Sequence, residues 1–225
     1  MNGFAIRLRL WLKLWFRSFP AVILMVLFPV AAYVSCIWLS YRIDSLTGMF
    51  YEKAAVLLYV FILQWCFSID FDSKFIGQLI TYPIARWKLI AERALLSLIL
   101  FAGLLCLVTI GLTPIAGGLV WKSLLFTIPV YIGIGGAVVL AVVVGKHSLG
   151  GLFAGLVLWI LSLNGGALLQ HASPALLELQ IVYAYLNGSL LAGTEPWILY
   201  NRLFYIGLGL LSTVLAIVYV NRKTD

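Results

Sequence analysis

Residues 124–144 read LLFTIPVYIGIGGAVVLAVVV, a run without a single charged side chain. A helix that crosses a bilayer needs roughly 20 mostly apolar residues, within a range of about 17 to 25, and this run meets that requirement unaided. Five more runs follow the same pattern: 21–40, 54–69, 94–112, 149–169 and 203–220. The first of these is opened by Pro20 and interrupted by Pro29, which predicts a kink. The second is short unless residues 49–51 extend it. Over its 225 residues the chain is 64% hydrophobic and 10% charged, whereas soluble domains run near half apolar and roughly a quarter charged. A soluble fold would leave too little polar surface to face water, so the natural solvent is lipid. The expectation is an all-α integral membrane protein, a single domain (1–225) of six transmembrane helices.

Orientation follows from the basic residues. With the N-terminus in the cytoplasm, the inner segments hold Arg7, Arg9, Lys13, Arg17, Lys74, Arg86, Lys88, Arg93, Lys146, Arg222 and Lys223. The outer ones hold Arg42, Lys53, Lys122 and Arg202. That is 11 of the 15 cations against 4, and the positive-inside rule selects this arrangement, with both termini cytoplasmic. The net charge of +7 is read as orientation and lipid-headgroup contact. No nucleic-acid partner is expected, because the cations do not line a face that could track a phosphate backbone.

Ahead of the first run, residues 4–19 are amphipathic. Arg9, Lys13 and Arg17 recur every four residues and share one helix face, while Phe4, Leu8, Trp11, Trp15 and Phe19 gather on the other. This pattern predicts a helix lying in the membrane interface with its apolar side down. A plain anchor that only fixes topology would have the same pattern. A cleavable signal peptide is not expected, since the cations are interleaved with Trp and Leu and no small-residue cleavage site follows a short apolar stretch.

The predicted span interiors contain no Asp, Glu, Lys, Arg or His, and Asn164 is their main strongly polar side chain. Ion-coupled transporters carry intramembrane carboxylates or histidines as relays, and hydrolases need a nucleophile and base within reach. Neither class is expected here. His147 and His171 fall in loops on opposite sides and are read as solvated. Cys36, Cys66 and Cys106 lie in separate apolar runs without metal-ligand spacing and are read as small buried hydrophobes. Gly145-Lys146 lacks the upstream glycine and the following Ser or Thr of a phosphate-binding loop, so any ATP would have to be hydrolysed by another polypeptide. The chain itself is not expected to be an enzyme.

The inner loop between the second and third runs, 70–93, lies within IDFDSKFIGQLITYPIARWKLIAERALL, residues 69–96. Asp70, Asp72 and Ser73 end the second run and can cap a short helix over residues 75–81. Tyr82-Pro83 should stop that helix, and Pro83 can open the next one. From 83 to 112 that helix would be about 45 Å long at 1.5 Å per residue, more than a hydrocarbon core of about 30 Å. It should therefore project into the cytoplasm. A short helix held at the membrane base by a proline corner is suited to receiving a push from a cytosolic partner. An ordinary amphipathic loop would carry the same spacing.

The segment GQLITYPIARWKL, residues 77–89, resembles the cytoplasmic coupling-helix region of type-2 ABC transporter permeases. In that family a Leu-Leu-x-x-Pro-[Ile/Val]-[Ser/Ala]-Arg sequence follows the second span, and Leu79, Ile80, Pro83, Ile84, Ala85 and Arg86 match it. The closing stretch PWILYNRLFYIGLGLL, with Trp197, Asn201 and Arg202, is also similar to the family, as is the whole-chain plan. Lys74 and Gly77 stand where the family often has an acidic residue with glycine, and Ala91-Glu92-Arg93 where Gly-Lys is common.

The resemblance implies a membrane subunit that pairs with a second permease, the same or related, and binds two cytosolic ATP-binding subunits in a bacterial plasma membrane. ATP and Mg would sit on those partners, with no cofactor in this chain. It implies that Phe75, Gln78, Leu79, Tyr82, Pro83 and Arg86 form the ATPase-coupling patch. The cargo would be amphipathic or apolar (a peptide, an antibiotic or a lipid-like molecule), and export the direction. The outer segment 170–202, with apolar stretches 174–186 and 190–200 about Asn187-Gly188, predicts a re-entrant or interfacial helical hairpin, and the family has a comparable element. Gly133, Gly135, Gly136, Gly151, Gly155, Gly207 and Gly209 are read as packing contacts within the bundle. Other readings stay open: a haem-handling permease of cytochrome c maturation, a lipid-modifying membrane enzyme, and a non-transporting scaffold or immunity protein.

Overall fold

The structure, a computed structural model, describes residues 3–38, 48–72, 86–168 and 195–222. All regular structure among them is helical. Helix α1 (Gly3–Arg17) is separated by Ser18 from α2 (Phe19–Trp38). A π-helical turn, Gly48–Ala54, runs directly into α3 (Ala55–Phe71). Then come α4 (Arg86–Ala116), α5 (Leu119–Gly145), α6 (Ser148–Leu168) and α7 (Glu195–Arg222).

By length and composition, Gly48–Phe71, Trp87–Ala116, Leu119–Gly145 and Leu199–Arg222 can each cross a membrane. A fifth crossing results if Ala5–Arg17 and Phe19–Ser35, bent by 74°, count as one broken span. Ser148–Leu161 is a shorter apolar stretch. Within the described residues each sequence run lies on a helix, and several helices outgrow their runs. The short second run becomes 24 residues because the π turn brings Gly48–Ala54 into the same rod. The last helix begins at Glu195, so residues 195–202, read as the end of an outer hairpin, are its first two turns. The rest of that predicted hairpin, 170–194, lies outside the described residues.

The core is apolar like that of a soluble protein, but the exterior is apolar too. Val130, Ile134, Val138 and Val142 form a buried stripe at four-residue spacing on α5, against Val56, Val60, Leu63 and Phe67 of α3 in the same core. Large apolar side chains cover the outside, such as Val26, Leu27 and Val30 on α2 and Leu210, Leu211 and Val214 on α7, each more than half exposed. A contiguous apolar exterior of this kind is stable only against lipid.

Side-chain pairs fix the relative directions. Tyr51–Thr109, Tyr59–Phe101 and Asp70–Arg93 run up α3 and down α4, so the two are antiparallel. Phe101–Tyr131 continues the alternation into α5. Trp159 with Lys53 and Gln64 with Ser148 set α6 antiparallel to α3. Gly117, at φ +59, makes the reversal after α4. The reversal after α5 falls on Lys146, at φ 52, in the left-handed conformation that ends helices and that non-glycine residues seldom adopt.

Helices α5 and α7 run parallel and make the closest approach in the bundle. A Cβ placed on Gly136 would lie 2.4 Å from the Gly209 carbonyl oxygen, and one on Gly209 would lie 2.3 Å from that of Ile132. Backbone meets backbone there because no side chain intervenes. Gly151 and Gly155 face Val142 and Val60 within the same bundle, whereas Gly207 faces open space.

Candidate functional site

Helix α3 is held at both ends by buried ion pairs. At one end Asp70, in its last turn, meets Arg93 of α4. Arg93 Nε donates to Asp70 Oδ2 in a short contact, and Nη2 donates to Oδ1 at 3.2 Å. The side chains are 4% and 6% exposed. The Trp11 ring of α1 covers the Arg93 guanidinium at 3.5 Å, a cation–π contact in a desolvated setting. One residue earlier on α4, Glu92 receives both Arg7 Nε at 2.9 Å and Arg7 Nη2 at 2.6 Å. Those hydrogen bonds, opposed by lost hydration and helped by the carboxylate's charge, raise the Arg7 pKa above its ordinary value, and Arg7 stays charged. Trp15 packs edge-on against Trp65 of α3, and its indole N–H points at Met25 Sδ at 3.1 Å. The first helix is therefore docked on the base of α3 and α4 through Arg7, Trp11 and Trp15.

This corrects one reading made from the sequence. The aromatic side of α1 turns to the protein, not down into lipid, because Arg93, Trp65 and Met25 offer it a cation, a ring and a sulfur. Arg9, Lys13 and Arg17 are exposed, as their spacing implied. The short helix expected after Asp70, Asp72 and Ser73 lies outside the described residues, and the two carboxylates have partners elsewhere. Asp70 lies inside α3 and pairs with Arg93. Asp72 caps α6 instead: its Oδ1 accepts from Ser148 N–H at 3.0 Å, and its Oδ2 takes the Ser148 hydroxyl in a short hydrogen bond. His147 is exposed, as read from the sequence, and its Nδ1 lies 3.1 Å from Asp72 Oδ1. Although Ser, His and Asp meet here, the serine hydroxyl donates to the aspartate and is wholly buried. It serves as a helix cap.

At the far end the π turn presents Glu52, whose Oε1 accepts from Arg202 Nη2 of α7 at 3.1 Å, with side chains 1% and 7% exposed. Sequence reading placed both residues in outer segments and left the spans free of charge. The structure carries them into the interior because each meets its opposite there, which is how a charge is accommodated at membrane depth. Tyr51 bonds Thr109 Oγ1 at 2.7 Å, while the hydroxyl of Tyr131 donates to Tyr51 O at 2.8 Å and the indole of Trp159 to Lys53 O at 3.0 Å. Side chains of α4, α5, α6 and α7 thus all bind one irregular turn. Along α3, residues 52 and 70 are about 27 Å apart at 1.5 Å per residue, close to the roughly 30 Å hydrocarbon thickness.

Of the residues singled out for coupling, Phe75, Gln78, Leu79, Tyr82 and Pro83 lie outside the described residues, as does the short helix read over 75–81. Arg86 opens α4. Asp72, the cap that follows α3, and Arg86, which opens α4, flank the stretch 73–85, and Asp70–Arg93 ties those two helices together. Sequence reasoning missed the partners Asp70, Glu92, Arg93, Glu52 and Arg202. One signal could have found them: with only 8 acids against 15 bases, an acid at the edge of an apolar run has to be held by a cation.

A groove of about 340 Å³ opens between α4, α5 and α7, walled by Leu95, Leu98, Ile132, Val139 and Ile217 beside Tyr59. Its walls suit hydrocarbon. No family model, curated protein or solved structure matches this chain.

Proposed function

We propose that the chain is the membrane permease subunit of an ATP-binding cassette exporter, driven by ATP that separate cytosolic subunits hydrolyse. In this reading the chain crosses a bacterial plasma membrane six times with both termini in the cytoplasm, pairs with a second permease and binds two ATPases. The cargo is amphipathic or apolar. The observation that carries the reading is the clamp at the basic end. The stretch 77–89, which resembles a coupling region, leads from the loop after α3 into α4, and Asp70–Arg93 locks those two helices together at that junction. Arg7–Glu92 and Trp11–Arg93 add α1 to the same unit. A push on the segment would move three elements as one body, and α4, at 31 residues or about 46 Å, would carry it across the bilayer.

The alternation of helix directions supports the topology. The end that holds α1 also holds Arg86, Lys88, Arg93, Lys146 and Arg222, against Lys53, Lys122 and Arg202 at the other, as the positive-inside rule requires of a cytoplasmic face.

The test is co-expression with a cognate cytosolic ATPase. A stable complex is expected, with ATP turnover that falls on Tyr82→Ala or Arg86→Ala. Normal assembly and normal turnover across substitutions in 75–86 would refute the proposal.

A further inference from the structure

With its aromatic side docked on the bundle, α1 leaves a second surface free. Around the helix axis, Arg9, Lys13 and Arg17 form one row directly opposite the docked Trp11 and Trp15. Beside it Ile6, Leu10 and Leu14 form another row at the same four-residue spacing. The three cations are exposed and have no ion-pair partner among the described residues. The apolar row is 44%, 56% and 48% exposed, and Phe16 is 58% exposed. No acid lies on α1. The 74° bend before Phe19–Ser35 turns the helix away from the direction of the span that follows.

We propose that this free flank of α1 binds the anionic phospholipid surface of the adjoining leaflet. Ile6, Leu10 and Leu14 enter the acyl boundary, and Arg9, Lys13 and Arg17 lie on the headgroup phosphates. The chemistry favours a lipid surface over a protein partner. An apolar strip one residue wide beside a cationic strip matches the depth profile of a leaflet, where hydrocarbon gives way to phosphate over one helix diameter. Charge selects anionic lipid, because each Lys or Arg near such a surface gains about 1 kcal/mol relative to a neutral one. Through Arg7–Glu92 and Trp11–Arg93 the same helix grips the base of α4, so leaflet charge reaches the junction at residues 73–85. The inference rests only on the membrane part of the preceding proposal. Its test contains no ATPase, so its failure would leave the exporter reading where it stood.

The full chain is reconstituted in nanodiscs of zwitterionic phosphatidylcholine, or of the same lipid with about 30% phosphatidylglycerol, and hydrogen exchange is followed over residues 5–17. Slower exchange is expected in the anionic discs, on the scale of about 100-fold for three cations, with most of the difference lost at high salt. Arg9→Gln/Lys13→Gln/Arg17→Gln should abolish the difference while exchange in α3 and α4 stays unchanged, and Arg9→Lys/Arg17→Lys should retain it. Equal exchange in both lipids, or a lipid effect that survives the triple variant, would overturn the proposal. So would the same protection from inorganic phosphate added to neutral discs, which would identify a soluble anion as the ligand.

Discussion

Replacing Asp70 with leucine leaves the Arg93 guanidinium buried beside Trp11 with no anion to meet it, and the cost can be worked from the geometry. At the 3.2 Å of the Nη2–Oδ1 contact, and an effective dielectric of about 20, the Coulomb attraction is about 5 kcal/mol. Desolvation of both ions consumes most of that gain, so the pair as a whole is close to neutral against an apolar replacement. Removing one partner is different: the remaining ion keeps its desolvation cost and loses its compensation, a loss of about 3–5 kcal/mol. The cation–π contact with Trp11 retains roughly 1–2 kcal/mol of stabilisation, which places Asp70→Leu near the lower end. The double variant Asp70→Leu/Arg93→Met should therefore be more stable than Asp70→Leu alone by about 2 kcal/mol or more. The assay is reversible unfolding of the purified chain in mixed micelles, followed by helical circular dichroism for both singles and the double. If the two single losses simply add, or if Asp70→Leu costs less than about 1 kcal/mol as an exposed pair would, the buried clamp is refuted.

Gly136→Val puts a branched side chain where a Cβ already lies 2.4 Å from the Gly209 carbonyl oxygen, so α5 and α7 must part. A loss of about 2–3 kcal/mol is expected, while Gly207→Ala, with open space around it, should be neutral or stabilising by up to about 1 kcal/mol; the unfolding midpoints compare them. Thr109→Val removes the hydrogen bond between the Thr109 and Tyr51 hydroxyls and should cost about 1–3 kcal/mol, read from the unfolding midpoint. For sidedness, Lys88→Cys should react with a membrane-impermeant thiol reagent only in inverted vesicles and Lys122→Cys only in right-side-out cells. The opposite pattern would put residues 73–85 out of reach of any cytosolic ATPase.

That the chain is built of several long apolar helices was legible in the sequence because it depends on local quantities. Hydropathy summed over about 20 residues chooses lipid as solvent, and the 124–144 run is unambiguous without any neighbour. The register of small residues was also legible, since Gly133, Gly136 and Gly209 sit where close approach needs them. The spacing of Arg9, Lys13 and Arg17 correctly separated a cationic face on α1. The candidate coupling patch rests on the Tyr82-Pro83 corner and on resemblance, and of its residues only Arg86 lies within the part of the chain the structure describes.

What periodicity and hydropathy could not supply was the identity of partners. A hydropathy reading ends a span at the first charge, because an isolated ion in hydrocarbon costs several kcal/mol. It cannot know that Glu52 and Arg202, 150 positions apart, cancel that cost together, or that Asp70 and Arg93 do so at the other end. It likewise gave the tryptophans of α1 to lipid, since lipid and protein are equally apolar seen from one helix. Only the tertiary arrangement, by bringing Arg93, Trp65 and Met25 beneath that face, turned the helix over and freed its other side. The sequence by itself determined which segments leave water; the fold decided which charges go with them, because compensation is a property of pairs.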